Sequence, residues 1–193
     1  YYKLHQSHDK AMIFTSGKEE INHVIASIEK IFSSSTDKSS SNLVFRKLHG
    51  DLSDIEISHL NYPVPDGSKL VIVSSPAGMS GITIPGVTLV ITDGTINRSE
   101  LDSDSASGLR RSYMSRAEIK QQIGRAGRDV PGGQGVLTKP TAVFEDRLRA
   151  RGKAVDQEMM PFVGFDDKFR EDFSPAEIYH SNLSQVALSV ATI

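Results

Sequence analysis

The chain has 193 residues, 38% hydrophobic and 24% charged, which fits one soluble domain, or one domain with an extension. No run approaches the ~20 apolar residues needed to span a bilayer, the polar start Tyr1–Lys10 does not read as a secretory leader, and a formal net charge of −2 argues against an all-over basic nucleic-acid coat. The absence of cysteine excludes disulfides and thiolate zinc sites and fits a reducing compartment, so a cytoplasmic location is expected, or a nuclear one for a cellular protein.

Ala11–Thr15 is a short apolar run that reads as a buried strand, broken by Ser16-Gly17. Ile21, Val24, Ile25, Ile28 and Ile31 then recur at helical spacing, with Glu19 and Glu20 in the first turn, where acids suit the helix dipole. The serine-rich stretch 33–42 reads as a loop. Leu43–Leu48 is a second strand, followed by His49-Gly50 and a short helix near Ser53–Leu60 that Pro63 and Pro65 end. Lys69–Ser74 and Val87–Thr92 are the third and fourth strands. The stretch Thr95–Gly108 is a polar excursion in which Asp102 and Asp104 are expected to be solvated. Ser115–Gly127 reads as a helix, ended by Pro131-Gly132-Gly133, and Gln134–Thr138 as a last strand.

Unbroken apolar strands alternating with helices predict a doubly wound α/β domain, a parallel sheet with helices on both faces. Such folds place their sites at the carboxyl ends of the strands. Ser16-Gly17, His49-Gly50, Ser74 to Thr83 and Asp93 are expected there. Between Arg110 and Arg128 six basic residues stand against Glu118 alone, whereas Asp156–Glu177 holds seven acids against Lys168 and Arg170. Charge alone leaves open a phosphate-facing patch and two solvated faces of opposite sign. The six histidines form no close metal-ligand spacing, and aromatics at 7% are too few for an evident stacking platform for single strands.

The strongest local signal is Gln121-Gln-Ile-Gly-Arg-Ala-Gly-Arg128. On a helix, Gln121, Arg125 and Arg128 at i, i+4 and i+7 share one face, and two forked guanidiniums on one face can grip a phosphate chain. Gly124 and Gly127 would each cost roughly 1 kcal/mol inside a helix. Close approach to a backbone or a ligand would justify them.

This string resembles motif VI of the superfamily 2 helicases, the family of the DEAH-box RNA helicases and the flavivirus-like viral helicases. There the pattern is Gln-Arg-x-Gly-Arg-x-Gly-Arg. The resemblance implies that Arg125 and Arg128 are arginine fingers on the nucleotide phosphates and that Gln121 helps position the attacking water, with Gly124 beside the nucleotide. Gln122 stands where the family has arginine, so one charged contact is in doubt.

Three further blocks are similar in the same order. Ile13-Phe-Thr-Ser-Gly-Lys-Glu-Glu-Ile21 resembles motif IV, which implies nucleic-acid backbone contacts at Ser16 and Gly17. A hydroxyl and free amides at a helix start can seat a phosphate. Taken alone, the block reads sooner as an N-capped amphipathic helix. Leu48-His-Gly-Asp-Leu-Ser53 resembles the following block, with His49 and Gly50 as backbone contacts, although a lone histidine after a strand is more often a packing or turn residue. Val73–Gly86, leading into Val90–Gly94, resembles motif V. It implies nucleic-acid contacts at Ser75 and Ser80, and nucleotide coupling at Gly81 and Thr83. Pro76 and Met79 depart from the DEAH pattern, and Met79-Ser-Gly is closer to the viral members. That divergence, with a first residue that is not methionine, favours a viral polyprotein as the parent.

The resemblance implies a RecA-like second motor domain over residues 1–140 and a mostly helical extension over 141–193. Within the extension, Ser174–Leu183 is similar to the start of the winged-helix region of DEAH proteins, and equally reads as one amphipathic helix. ATP or another NTP with Mg²⁺ would be held mainly by the first RecA-like domain of the same parent, because the chain has neither Gly-x-x-x-x-Gly-Lys-Thr nor Asp-Glu-x-His. Alone it is expected to be inactive. Its further partner would be single-stranded nucleic acid, RNA before DNA. Two other readings stay open: a catalytically decayed helicase-like domain that binds RNA or a protein, and an unrelated nucleotide-binding α/β domain.

Overall fold

The computed structural model describes residues 8–34, 42–76, 82–101, 107–138 and 172–173. Five parallel strands form the main sheet: β1 (Lys10–Phe14), β2 (Leu43–Leu48), β3 (Lys69–Ser74), β4 (Leu89–Thr92) and β7 (Gln134–Leu137), in the order β2-β3-β1-β4-β7. The helices are α1 (Glu19–Ser34), α2 (Asp54–His59) and α3 (Arg116–Ile123). The expected strands fall within a residue or two of these bounds.

The inner strands lack a polar face because both of their faces are covered. In β3, Leu70, Val71, Ile72 and Val73 are all essentially inaccessible. One face packs Met12, Phe14, Leu70, Ile72 and Val90 against Leu60, Ile84 and Val87, with Ile57 of α2 alongside. The other packs Ala11, Val71, Val73 and Leu89 against Ile21 and Ile25 of α1. Ile31, expected on the apolar stripe of α1, is 53% exposed. It lies at the stripe's edge, while Phe32, at the stripe's centre, is half-buried.

Capping boxes start α2 and α3. Ser53 and Glu56 satisfy each other's backbone N–H groups at one, and Ser115 and Glu118 do so at the other. Each removes two orphan donors from a short helix.

The polar excursion after β4 is corrected by the structure. Residues Thr95–Leu101 (β5) and Ser107–Tyr113 (β6) form an antiparallel ribbon in register from Thr95 opposite Tyr113 to Leu101 opposite Ser107. Backbone pairing and ion pairs fix it, which an apolar-periodicity reading does not detect. Asp102 and Asp104 lie outside the described residues, as does the extension 141–193 except for Asp172 and Phe173.

Candidate functional site

Because the five strands run parallel, the residues that follow β1, β2 and β3 meet at one edge of the sheet. The ladder continues past the strand ends there: Thr15 N–H donates to the Ser74 carbonyl and Ser75 N–H to the Leu48 carbonyl, both at 2.9 Å. This brings Ser16, Gly17, His49, Gly50 and Ser75 to a common edge. Gly50 is exposed, Gly17 and His49 are half-buried, and Ser16 and Ser75 are buried. The His49 Nδ1 atom is buried with no hydrogen-bond partner among the described residues. Lys18 and Asp51 form an exposed ion pair between the loops after β1 and β2. The Lys18 ammonium, by its hydrogen bond and then its charge, holds the Asp51 carboxyl below its usual range.

The Ser16 turn is tied to the β5–β6 ribbon. Asn97 N–H donates to the Ser16 carbonyl at 3.0 Å, and a Cβ on Gly17 would lie 2.4 Å from Asn97 Nδ2. Both Ser16 donors, the N–H at 3.0 Å and the hydroxyl, go to the Glu20 carboxylate. Glu20 in turn meets Arg111 Nη1 at 2.9 Å, while Arg111 Nη2 reaches Asp93 Oδ2 at 3.0 Å and Arg111 Nε reaches Thr95 Oγ1 at 3.0 Å. Glu20 and Arg111 were missed as site residues by the sequence reading. The available signal was the four-residue step from Ser16 to Glu20, the reach of a side chain folding back on its own helix start.

The basic stretch is also less open than its composition suggests. Arg111 is engaged with Glu20 and Asp93, and Arg116 Nη1 pairs with Asp172 at 2.7 Å. Arg98, on β5, holds Glu118 at 2.6 Å.

A second group forms where α3 ends. The helix stops at Ile123 with Gly124 as its cap, so Gln121, Arg125 and Arg128 do not share one helix face as the spacing predicted. Arg125 and Arg128 come from the turn beyond it. The turn is set by Gly127, whose φ is +71° and whose N–H donates to the Val87 carbonyl at 2.8 Å. A Cβ there would lie 2.7 Å from Gly133 Cα, so the close backbone approach expected of this glycine is present, in a turn and not in a helix. Asp129 Oδ2 accepts the Gly86 N–H at 2.8 Å. The turn therefore lies against residues leading into β4, at the amino end of the sheet, and not at the carboxyl edge.

Arg125 Nη1 donates to the Ile82 carbonyl at 2.6 Å, which brings the turn beside Thr83 in sequence. Thr83, Gln121, Gly124 and Arg128 are exposed and Arg125 is half-buried. Burial, and then the Arg128 charge, lower the Arg125 pKa from its ordinary value. Two neighbouring guanidiniums form a donor set that fits a polyphosphate rather than a cation. Among the described residues no group of three acidic or histidine side chains is placed to hold a metal ion. Gln122 is fully buried, and both its amide atoms lack partners among the described residues. Ser80 and Gly81 lie outside the described residues.

Residues 1–130 match the family model described as "Helicase conserved C-terminal domain". The chain is similar to the ATP-dependent RNA helicase DHX33 of Drosophila melanogaster, 30% identical over 128 residues, covering 66% of this chain and 18% of that protein. It also resembles a probable ATP-dependent RNA helicase, a DHX35 homolog of Caenorhabditis elegans, 27% identical over 129 residues and covering 66% of this chain and 17% of that one. The chain thus spans less than a fifth of these relatives. They are cellular proteins and give no support to a viral polyprotein as the parent. The fold is shared with the crystal structure of the E. coli DExH-box NTPase HrpB, with a TM-score of 0.68 at 23% identity over 98% of this chain and 20% of that one.

Proposed function

Because the chain belongs to the helicase conserved C-terminal domain family of superfamily 2, we propose that it is the second RecA-like motor domain of an ATP-dependent RNA helicase. The observation that carries this reading is the turn after α3, which carries Arg125 and Arg128 and is bound through Arg125 to Ile82 in the segment leading into β4. In this reading the two guanidiniums donate to nucleotide phosphates across a cleft and stabilise the charge that builds as the terminal phosphoryl group departs. Gln121, exposed on the last turn of α3, holds the attacking water, and Gly124 and Thr83 border the nucleotide. Hydrolysis of the bound nucleotide, with its Mg²⁺, supplies the free energy. A preceding RecA-like domain supplies the phosphate-binding loop and metal ligands that this sequence lacks.

The carboxyl edge is the RNA half of the domain. Ser16, Gly17, His49, Gly50 and Ser75, with Ser80 in the following segment, contact the sugar-phosphate backbone there, which positions a strand without reading its bases. Ser75 and Thr83 are only eight positions apart in the chain, which links nucleotide state to grip on RNA.

RNA-stimulated ATP hydrolysis by the parent protein tests the reading. A rate that rises on adding single-stranded RNA is expected. RNA binding without any hydrolysis would favour instead a decayed, non-hydrolysing RNA-binding module. The specific observation on that side is Gln122, a buried neutral amide without partners among the described residues where the resemblance expects arginine.

A further inference from the structure

The reading above makes Ser16 a backbone contact, yet Ser16 is only 2% exposed and both of its donors are taken. The acceptor is one oxygen of the Glu20 carboxylate. An anionic oxygen receiving an amide N–H and a hydroxyl at a helix start presents the same chemistry as a phosphate oxygen. The other oxygen of Glu20 meets Arg111, which is itself anchored by Asp93 and Thr95. Glu20 keeps 31% of its side chain exposed and Arg111 15%, so the carboxylate is open to solvent on one side while Ser16 beneath it is not. Arg111 therefore gives Glu20 a second attachment that does not depend on Ser16.

Resting on the assignment of Ser16 as a nucleic-acid contact, we propose that Glu20 is a positioning residue that holds the place of an RNA phosphate. In the free protein its carboxylate occupies the Ser16 N–H and hydroxyl. A phosphate takes over both donors, and the Glu20 carboxylate swings off Ser16 while Arg111 keeps hold of its other oxygen. No bond is made or broken beyond hydrogen bonds. The cost of displacing Glu20 is subtracted from the affinity for RNA, and Asn97, bonded to the Ser16 carbonyl, ties the β5–β6 ribbon to the exchange.

The test measures binding of a labelled single-stranded oligouridine to the full parent protein by fluorescence anisotropy. Glu20→Gln weakens the hold on Ser16, and Glu20→Asp withdraws the carboxylate while keeping its charge. Both are expected to tighten binding about fivefold, the worth of roughly one hydrogen bond. The gain should shrink when either is combined with Ser16→Ala, which removes the hydroxyl and leaves only the backbone N–H for Glu20 to occupy. A generic charge effect would instead persist undiminished in that background and be absent from Glu20→Asp. The inference is overturned if Ser16→Ala weakens binding but the Glu20 variants bring no gain, or bring one that Ser16→Ala leaves undiminished, and in that case Ser16 remains an RNA contact. If Ser16→Ala leaves binding unchanged, the Ser16 assignment falls and the inference falls with it. Should Glu20→Gln fail to fold, Glu20→Asp carries the same decision alone.

Discussion

Arg125 donates to the Ile82 carbonyl at 2.6 Å across a sequence separation of 43 residues. That bond fastens the turn after α3 to the segment leading into β4. Arg128, three residues on, stays exposed and raises the electrostatic cost of the Arg125 charge. The turn thus holds one guanidinium against the protein and presents the other to its surroundings.

Gly127 sets that turn, and its substitution should be felt in stability. Gly127→Ala forces a Cβ into a left-handed backbone at φ +71° and within 2.7 Å of Gly133 Cα. A loss of about 2–3 kcal/mol is expected in denaturant unfolding. Gly67 is a matched control, since its φ is +76° but nothing lies within 4 Å of its added Cβ. Gly67→Ala should cost about 1 kcal/mol. Equal losses would show that the crowding at Gly127 does not matter.

Gln122 should be improvable. Its amide is buried with neither atom bonded among the described residues, and an apolar side chain of similar shape removes that penalty. Gln122→Met is expected to raise stability by about 1 kcal/mol, read from the urea midpoint at unchanged slope. A fall of similar size would mean that the amide has a partner in the working protein.

The α2 cap predicts a pH dependence. The Ser53 N–H and then its hydroxyl hold the Glu56 carboxyl below its ordinary range. A carboxyl whose pKa is depressed on folding contributes stability above its unfolded value, about pH 4, and loses it as pH falls through the lower folded value. Glu56→Gln should therefore be less stable than the parent chain near neutrality, and the two should converge below about pH 4. A gap that stays constant down to acid pH would contradict the charged cap.

The ion pairs at the carboxyl edge should behave differently. Arg111 is 15% exposed and faces two carboxylates, so Arg111→Met leaves two partly buried carboxylates uncompensated and should cost about 2 kcal/mol. Lys18 and Asp51 are mostly exposed, and Asp51→Asn should leave the thermal midpoint nearly unchanged. Equal effects would mean that burial does not decide the worth of these pairs.

The main sheet was legible because β3 and β4 are covered on both faces and carry unbroken apolar runs, bounded by Ser-Gly, His-Gly and Pro-rich breaks. That the candidate residues after β1, β2 and β3 gather at the carboxyl ends followed from parallel strands alone, whereas the strand order β2-β3-β1-β4-β7 did not. The β5–β6 ribbon was not legible, since Asn97, Arg98 and Arg111 hold it by backbone bonds and charge. The end of α3 was misplaced for a local reason: Arg125 and Arg128 fit a helical spacing, but Gly124 caps the helix and Gly127 takes a conformation that no helix contains. Glu20 was read only as a dipole acid because its partner Arg111 is 91 residues away in the chain, and tertiary pairing of that kind leaves no local pattern.

The central claim is that the turn after α3 supplies arginine fingers to a nucleotide held mainly by another domain. Its most direct test is single-turnover, RNA-stimulated ATP hydrolysis by the parent protein, with Arg125→Ala and Arg128→Ala beside it. The account predicts that each substitution lowers the hydrolysis rate by roughly 10³-fold or more while RNA binding is kept. Rates unchanged by both substitutions would contradict it.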